Sequence, residues 1–282
     1  MPHFETSDGL TLYYSDEGQG IPILCLAGLT RNSSDFSYIN GKLGEVRLLK
    51  MDYRGRGKSD WAKDFTTYNI PRESQDALEL MDFLGIKKFA IIGTSRGGLC
   101  AITIGAMAPD RLLGVAFNDI GPDLNLEGLK VIMNYIGQNP PWQTMAQATE
   151  ARHSVMAGFE NVPQSRWREE VEKFYHQTEK GLVINYDPKL RDSVLAVPLD
   201  SAPDLWPFFK ALSNLPLAVL RGENSDLLAA DTFQKMRIAL PQAIMATVKD
   251  RGHVPFLDEP ESLETLQNWV TQLEQAPQNQ GA

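Results

Sequence analysis

Short apolar runs recur toward both ends of the chain, and polar stretches with glycine or proline separate them. Each run predicts a buried strand, because a strand that is covered on both faces has no position that must stay polar. Two further strands are expected around the turn at Ser7-Asp8-Gly9. In chain order the apolar runs place strands at residues 23–26, 46–51, 89–92, 113–117, 217–220 and 243–248.

Segments with apolar residues at helical spacing lie between these strands. Strands that alternate with helices favour an α/β fold, in which a mostly parallel sheet carries helices on both faces. In such sheets ligands bind at the carboxyl ends of the strands. The predicted helices are at residues 35–43, 70–84, 99–107, 232–240 and 259–275.

The rhythm changes between residues 123 and 207, where strand-like runs become scarce. Helices are expected there at residues 126–136, 143–159 and 164–177. We interpret this stretch, called the insertion below, as a helical cap (lid) on a core formed by residues 1–122 and 208–275. Residues 276–282 predict a disordered tail.

Some side chains of the insertion are expected to contact substrate, because a cap must wall one side of a pocket. The candidates are Trp142, Met145 and Trp206. For any one aromatic residue, packing within the insertion is the favoured alternative.

The stretch Gly93-Thr94-Ser95-Arg96-Gly97 follows a predicted buried strand and precedes an apolar helix. A serine at such a strand-to-helix turn is forced into a strained conformation that exposes its hydroxyl, and the flanking glycines let strand and helix converge. The pattern alone is weak, but its position between strand and helix favours Ser95 as a nucleophile. The chain should then also supply a base, an acid and oxyanion donors.

Of the four histidines, His253 best fits the base, since it follows the last predicted strand in a glycine-marked loop. His3 is terminal, and His153 and His176 lie between charged residues of the insertion. Two acids are admissible. Asp226 is preferred because its strand adjoins the last one, and Asp119 remains the alternative.

Backbone amides of Leu29 and Arg96 are expected to bind the oxyanion of a tetrahedral intermediate. Gly28 would let substrate approach the first amide closely. Val254, next to the expected base, is a further substrate-binding candidate.

Composition narrows the classes of partner. The chain has 282 residues with 27 basic and 36 acidic side chains, a net charge of −9, and no basic stripe. Nucleic acid and anionic membrane surfaces are therefore not expected as partners. We expect a small-molecule substrate and a monomer or homodimer.

The beginning of the chain lacks an export signal and no apolar run could span a bilayer, which predicts a cytoplasmic protein. Cys25 and Cys100 both lie in apolar runs and predict buried free thiols. No metal-ligand spacing is present, so no metal site is expected.

Four loops together resemble the α/β-hydrolase superfamily, in its serine-nucleophile branch with a lid. They are the Ser95 turn, Asp52-Tyr-Arg-Gly-Arg-Gly-Lys-Ser59, Gly222-Glu-Asn-Ser-Asp226 and Gly252-His253-Val-Pro. The resemblance covers nearly the whole chain. It implies an eight-stranded sheet, a helical cap between the sixth and seventh strands, and no cofactor.

The chain departs from this pattern at two positions. Ala27 replaces a histidine that commonly orders the oxyanion loop, and Arg31 or Asn32 could hold the loop instead. Arg96 is a charged residue where relatives often carry an uncharged one. A salt bridge or a lid contact would explain it, and selection of anionic substrates is the sharper hypothesis.

The leading functional hypothesis is hydrolysis of a small or medium, largely apolar carboxylic ester or lactone through an acyl-enzyme. The alternatives are a C–C bond hydrolase of aromatic ring-fission products, a cofactor-free perhydrolase, and a ligand receptor that retains the triad. A serine at the elbow argues against haloalkane dehalogenases and epoxide hydrolases, which resemble this fold but use a carboxylate nucleophile.

Overall fold

The computed structural model describes residues 2–197 and 203–276 and is organised around an eight-stranded sheet. The strand order is β1-β2-β4-β3-β5-β6-β9-β10. The pairs β1–β2 and β2–β4 are antiparallel and the other pairs are parallel. These strands are His3–Glu5 (β1), Thr11–Gly18 (β2), Ile21–Leu26 (β3), Val46–Met51 (β4), Phe89–Thr94 (β5), Leu112–Asn118 (β6), Leu217–Gly222 (β9) and Ile244–Val248 (β10).

Central strand β3 shows why the apolar runs contain no polar residue. Leu24 and Leu26 enter the hydrophobic cluster on one face of the sheet, and Ile23 and Cys25 enter the cluster on the other face. All four side chains are fully buried. A parallel strand between two helical layers must be apolar on both faces.

Helices cover both faces of the sheet. The described α-helices are Ile70–Phe83 (α1), Arg96–Met107 (α2), Leu126–Tyr135 (α3), Met145–Val155 (α4), Gln164–Phe174 (α5), Leu190–Leu195 (α6), Trp206–Ala211 (α7), Ala230–Ala239 (α8) and Pro260–Gln275 (α9). Helices α1, α2 and α8 contribute to one hydrophobic cluster, and α9 to the other. The predicted fold class, a mostly parallel sheet with helices on both faces, is confirmed.

Some local predictions were wrong in their bounds. The expected helix at 35–43 is a 3-10 segment, Ser33–Ile39. The helix expected to reach residue 177 ends at Phe174, and a hairpin of Tyr175–Thr178 (β7) and Gly181–Ile184 (β8) follows it. Residues 198–202 of the insertion and all but the first residue of the predicted tail lie outside the described residues.

The insertion packs against loops that leave the carboxyl ends of three strands. The Asp187 amide donates to the Gly55 carbonyl after β4 over 2.8 Å, and the Arg31 guanidinium after β3 pairs with Glu170 over 2.7 Å. The Glu160 amide donates to the Asp250 carbonyl after β10 over 3.0 Å. The insertion therefore lies above the sheet edge at which ligands bind in folds of this kind.

The two cysteines are buried free thiols, as predicted. Burial raises the pKa of both to about 12. In the described ranges, no helix has both the length and the hydropathy needed to cross a membrane.

The start of α1 offers a test of local stability. The Asn69 side chain accepts a hydrogen bond from the Arg72 amide over 2.8 Å, which satisfies one of the unpaired amides of the first turn. We expect Asn69→Ala to lower the free energy of unfolding by about 0.5–2 kcal/mol, measured by urea titration. Asn69→Ser keeps the acceptor and should stay close to the wild type. An equal loss in both variants would assign the effect to the Asn69 contact with Thr66 instead.

Candidate active site

Ser95 lies at the turn between β5 and α2 in a conformation that few residues adopt. Its φ is 50° and its ψ is −113°. The Ser95 amide donates to the Asn118 carbonyl over 3.0 Å, and the Ser95 carbonyl accepts from the Gly98 amide over 2.9 Å. These contacts hold the strained residue at the carboxyl edge of the sheet.

The glycines on either side of Ser95 are required by close approach of the backbone. A Cβ on Gly93 would lie 2.6 Å from the Gly97 carbonyl carbon, and a Cβ on Gly97 would lie 2.0 Å from the Leu26 carbonyl oxygen. Any side chain at these positions would separate strand and helix. The expected nucleophile turn therefore has its structural reason in this chain.

His253 lies between Ser95 and a carboxylate. Its Nε2 is 2.9 Å from the Ser95 Oγ, and its Nδ1 is 2.7 Å from the Asp119 Oδ2. A tautomer with a proton on Nδ1 donates to Asp119 and leaves Nε2 free to accept the serine proton. His153 and His176 are exposed.

Asp119 directly follows β6, is fully buried and has φ of 56°. Its Oδ1 accepts from the Gly222 amide over 2.8 Å. Its Oδ2 accepts from the Ser225 hydroxyl over 2.6 Å in addition to its contact with His253. The carboxylate is thus fixed in the orientation that the imidazole needs.

The preference for Asp226 over Asp119 was wrong as a matter of position. Asp226 is exposed, and its loop supplies Ser225 and Gly222 as hydrogen-bond donors to Asp119. Since β6 lies between β5 and β9 in the sheet, its end is between the serine and the histidine. The preference for Asp226 rested on the adjacency of its strand to the last strand, and it did not consider where β6 lies in the sheet.

Asn118, the last residue of β6, connects the histidine loop to the sheet. The Asn118 side-chain amide donates to the Pro255 carbonyl over 3.1 Å and to the Thr94 hydroxyl over 3.2 Å. Asn118 therefore links the loop that carries His253 to the end of the nucleophile strand. It was not among the predicted site residues, although it immediately precedes Asp119.

The loop after β3 is held by an arginine that was not among the predicted site residues. The Arg56 Nε donates to the Leu29 carbonyl over 2.9 Å. The Arg31 amide donates to the Gly28 carbonyl over 3.1 Å, and its guanidinium pairs with Asp35 and Glu170. Asn32 caps the following 3-10 segment and donates to the Lys173 carbonyl over 3.1 Å. Arg31 and Asn32, the two residues expected to hold this loop beside Ala27, therefore both make contacts that fix it, and Arg56 adds a further hydrogen bond to the loop.

Glu73 of α1 is linked to both expected oxyanion donors. It pairs directly with Arg96, and it pairs with Arg56, which holds the Leu29 loop. Its fully buried carboxylate accepts from Arg56 over 2.7 Å and from the Arg96 Nε. Burial opposes ionisation of Glu73, but the two guanidinium groups outweigh it and lower its pKa. Arg96 is thus engaged in a salt bridge, and it also donates to the Tyr68 carbonyl over 3.1 Å.

The amides of Leu29 and Arg96 have no acceptor among the described residues. Gly28 brings the first of them close to the serine, because a Cβ on Gly28 would lie 3.9 Å from the Ser95 Cβ. Arg96 begins α2, where amide donors and the helix dipole favour an anion. The two amides can therefore serve as oxyanion donors.

The structure shows what the other substrate-binding candidates contact. Trp142 and Met145 pack against a small cluster inside the insertion, and Trp142 also lines a surface depression of about 590 Å³ away from Ser95. Trp206 donates to Asp123 over 3.0 Å and packs on the core. Internal packing accounts for these three side chains. Val254 is half-buried next to His253.

A Ser–His–Asp arrangement at the carboxyl edge of a mostly parallel sheet defines a class of hydrolytic enzymes. The model of the alpha/beta hydrolase family matches residues 23–265. The chain therefore belongs to the alpha/beta hydrolase family and is an enzyme of hydrolase type.

Curated relatives and a solved structure agree with this assignment. The chain is 29% identical over 264 residues to a 3-hydroxybutyrate-oligomer hydrolase from Cupriavidus necator, covering 88% of each chain. It is 25% identical to a 2-(acetamidomethylene)succinate hydrolase from Mesorhizobium japonicum, covering 93% of this chain and 92% of that protein. A crystal structure of an alpha/beta hydrolase from Novosphingobium aromaticivorans is 36% identical, with a TM-score of 0.89 over 96% of this chain and 97% of that chain.

Proposed function

We propose that the protein hydrolyses a small or medium carboxylic ester through an acyl-enzyme, with Ser95 as nucleophile, His253 as base and Asp119 as the orienting acid. The observation that carries the proposal is the continuous arrangement of Ser95 Oγ, His253 and Asp119 Oδ2, with contacts of 2.9 and 2.7 Å. Asp119 takes the role that was expected of Asp226.

In the proposed reaction His253 Nε2 takes the Ser95 proton as Oγ attacks the ester carbonyl. The amides of Leu29 and Arg96 stabilise the resulting oxyanion, while Asp119 stabilises the imidazolium. Collapse of the intermediate breaks the bond to the alkoxy oxygen, which takes the proton from His253 and leaves as the alcohol. Water, activated by the same imidazole, then releases the acid and restores Ser95.

We propose residues 123–207 as the cap of this site, because they contact the loops after β3, β4 and β10. The relative from Cupriavidus necator is named for an oligomer of a hydroxy acid, and such oligomers are joined by ester bonds. This supports an ester substrate for the present chain.

Covalent trapping tests the proposal. We expect a fluorophosphonate to add one phosphonyl group to the wild type, with displacement of fluoride by Ser95 Oγ, and mass spectrometry of the digest to place the group on Ser95. Ser95→Ala should not be labelled, and Ser7→Ala, at an exposed turn, should be labelled like the wild type. A label on another residue would contradict the proposed nucleophile.

Turnover separates the proposed ester hydrolase from the alternatives. Stopped-flow measurements with 4-nitrophenyl acetate and butyrate should show a burst of nitrophenol matching the enzyme concentration, followed by steady turnover. Efficient cleavage of a dienoate ring-fission product without ester turnover would instead favour the C–C hydrolase. Turnover below about one per minute, far under the usual median of roughly 10 per second, would favour a receptor.

A further inference from the structure

Arg152 of α4 is a buried cation without an ion-pair partner in the part of the chain that the structure describes. Arg152 is 8% exposed, and its Nε has no hydrogen-bond partner among the described residues. Among residues 2–197 and 203–276 no carboxylate forms an ion pair with it, whereas the neighbouring Arg31 has two, Asp35 and Glu170. Burying a charge without a partner is costly, so such a group needs an explanation.

One aromatic ring connects Arg152 to the wall of the active site. The Arg152 Cζ lies 4.4 Å from the centroid of the Phe174 ring, and the Arg31 Cζ lies 3.7 Å from the same centroid. The stem of Arg31 contacts Gly28, where a Cβ would lie 3.3 Å from the Arg31 Cγ. A Cβ at that position would also lie 3.9 Å from the Ser95 Cβ. The Phe174 ring therefore contacts the guanidinium groups of both Arg152 and Arg31, and Arg31 in turn contacts Gly28 beside Ser95.

A second set of contacts relates the surroundings of Arg152 to the loop that carries Leu29. Tyr175 packs against Phe174, with ring centroids 5.9 Å apart, and it borders the same apolar cluster as the oxyanion residue Leu29. Tyr135, which is 51% exposed, is within electrostatic range of Arg152 and Arg31.

Glu170, the carboxylate that interacts electrostatically with Arg152, is already engaged by other partners. Glu170 is already bound by Arg31 over 2.7 Å, by the Tyr38 hydroxyl over 2.9 Å and by Lys173 over 3.6 Å. Burial lowers the pKa of Arg152, and Arg31 lowers it further, while Tyr175 and Glu170 oppose that shift. The group nevertheless stays cationic at neutral pH because an arginine loses its proton only at very high pH.

We propose that Arg152 binds a carboxylate carried by the substrate, so that the preferred substrates are esters of acids or hydroxy acids with a second, free carboxylate. A carboxylate accepts two parallel hydrogen bonds from a guanidinium, which fixes the orientation of the substrate as well as its charge. The inference rests on the proposed ester hydrolysis at Ser95. It also corrects the anion-binding hypothesis for Arg96, whose guanidinium is occupied by Glu73.

Matched substrates test the inference. The acetate ester of 3-hydroxybutyrate and the corresponding neutral carboxamide differ only in charge, and acetate release reports both. We expect the wild type to favour the carboxylate by about 10- to 100-fold in kcat/KM, the range of a hydrogen bond to a charged group. Arg152→Gln should remove this preference by lowering kcat/KM for the carboxylate substrate while leaving kcat/KM for the carboxamide unchanged. Arg152→Lys should retain part of it, since lysine keeps the charge without the planar fork.

Controls separate recognition from a general structural effect. Arg168→Gln changes an exposed arginine of α5 and should leave both kcat/KM values unchanged. We expect the Tm of Arg152→Gln to be no lower than that of the wild type, because the substitution removes an unpaired buried cation. Equal losses on both substrates would overturn the inference.

Binding to a variant without the nucleophile makes the test independent of turnover. Calorimetry of Ser95→Ala with the carboxylate ester should give a Kd that Arg152→Gln, added to it, weakens by about 10- to 100-fold. Equal affinity of Ser95→Ala for the carboxylate and the carboxamide would refute the inference and leave the proposed hydrolysis intact. Selective binding combined with failed labelling of Ser95 would refute the proposed hydrolysis alone.

Discussion

Asp119→Asn should lower kcat for 4-nitrophenyl butyrate by about 10⁴-fold, the loss that follows when a triad acid becomes an amide. The asparagine amide can donate to His253 Nδ1, which places the ring proton on Nε2. The imidazole is then unable to accept the proton of Ser95. Initial rates at saturating substrate measure the effect, and the Tm by circular dichroism verifies that the variant is folded.

Asp226→Asn is the matched control for this substitution. Its carboxylate is exposed and makes no contact with His253 in the structure, so we expect kcat within about twofold of the wild type, as for a surface substitution away from the site. The reverse outcome, with activity lost in Asp226→Asn and kept in Asp119→Asn, would show that the acid reaches the histidine in a different arrangement of these loops.

The sequence was informative wherever a structural requirement is local. The apolar strand before Ser95 and the glycines at positions 93 and 97 lie within a few residues of one another, and each is explained by burial or close approach at that point. His253 followed by elimination, because few histidines exist and one follows the last strand. These features made the fold and two residues of the candidate site, Ser95 and His253, predictable.

The acid could not be assigned in the same way, because the order of strands in the sheet differs from their order in the chain. Asp119 and Asp226 both follow apolar strands in loops with glycine, and only the position of β6 between β5 and β9 distinguishes them. The hairpin at residues 175–184 was missed for a different reason. Strands of four residues are too short to show a period, and its first strand continues directly from α5.

The charged partners were the least predictable part of the site. Arg56, Glu73 and Arg96 come from three separate elements, and no pattern in the chain pairs them. The lack of an ion-pair partner for Arg152 among the described residues is also a property of packing. A sequence shows which side chains are charged, but only the folded chain shows which of them are neutralised.

The carboxylate of Glu73 should matter both for stability and for catalysis. Glu73→Gln leaves Arg56 and Arg96 buried without their common counter-ion, and removing one member of a buried ion pair costs about 3–5 kcal/mol. We expect a loss of this size in the free energy of unfolding, measured by urea titration at pH 7. Glu79→Gln, on the same helix but nearer the surface, should cost about 1 kcal/mol or less.

The pH dependence of this loss distinguishes the charge from the packing of the side chain. The pKa of Glu73 is lowered in the folded state from its ordinary value of 4.5, so its contribution is fully present above pH 4.5 and is lost as the pH falls through the lowered value. The difference between wild type and Glu73→Gln should therefore be constant from pH 5 to 7 and shrink in stronger acid. A difference that does not change with pH would assign the loss to packing.

Catalysis gives the second measurement on the same variant. Arg56 holds the Leu29 carbonyl and Arg96 carries the other proposed oxyanion amide, so losing Glu73 should loosen both proposed donors at once. A displacement of about 1 Å at such a site can cost about 10²-fold in rate. We expect kcat for 4-nitrophenyl butyrate to fall by about that factor with little change in KM, because the donors act on the oxyanion and not on the bound ester. An unchanged kcat in folded Glu73→Gln would restrict Glu73 to a structural role, since a purely structural carboxylate would lower the stability and leave the rate of the folded enzyme intact.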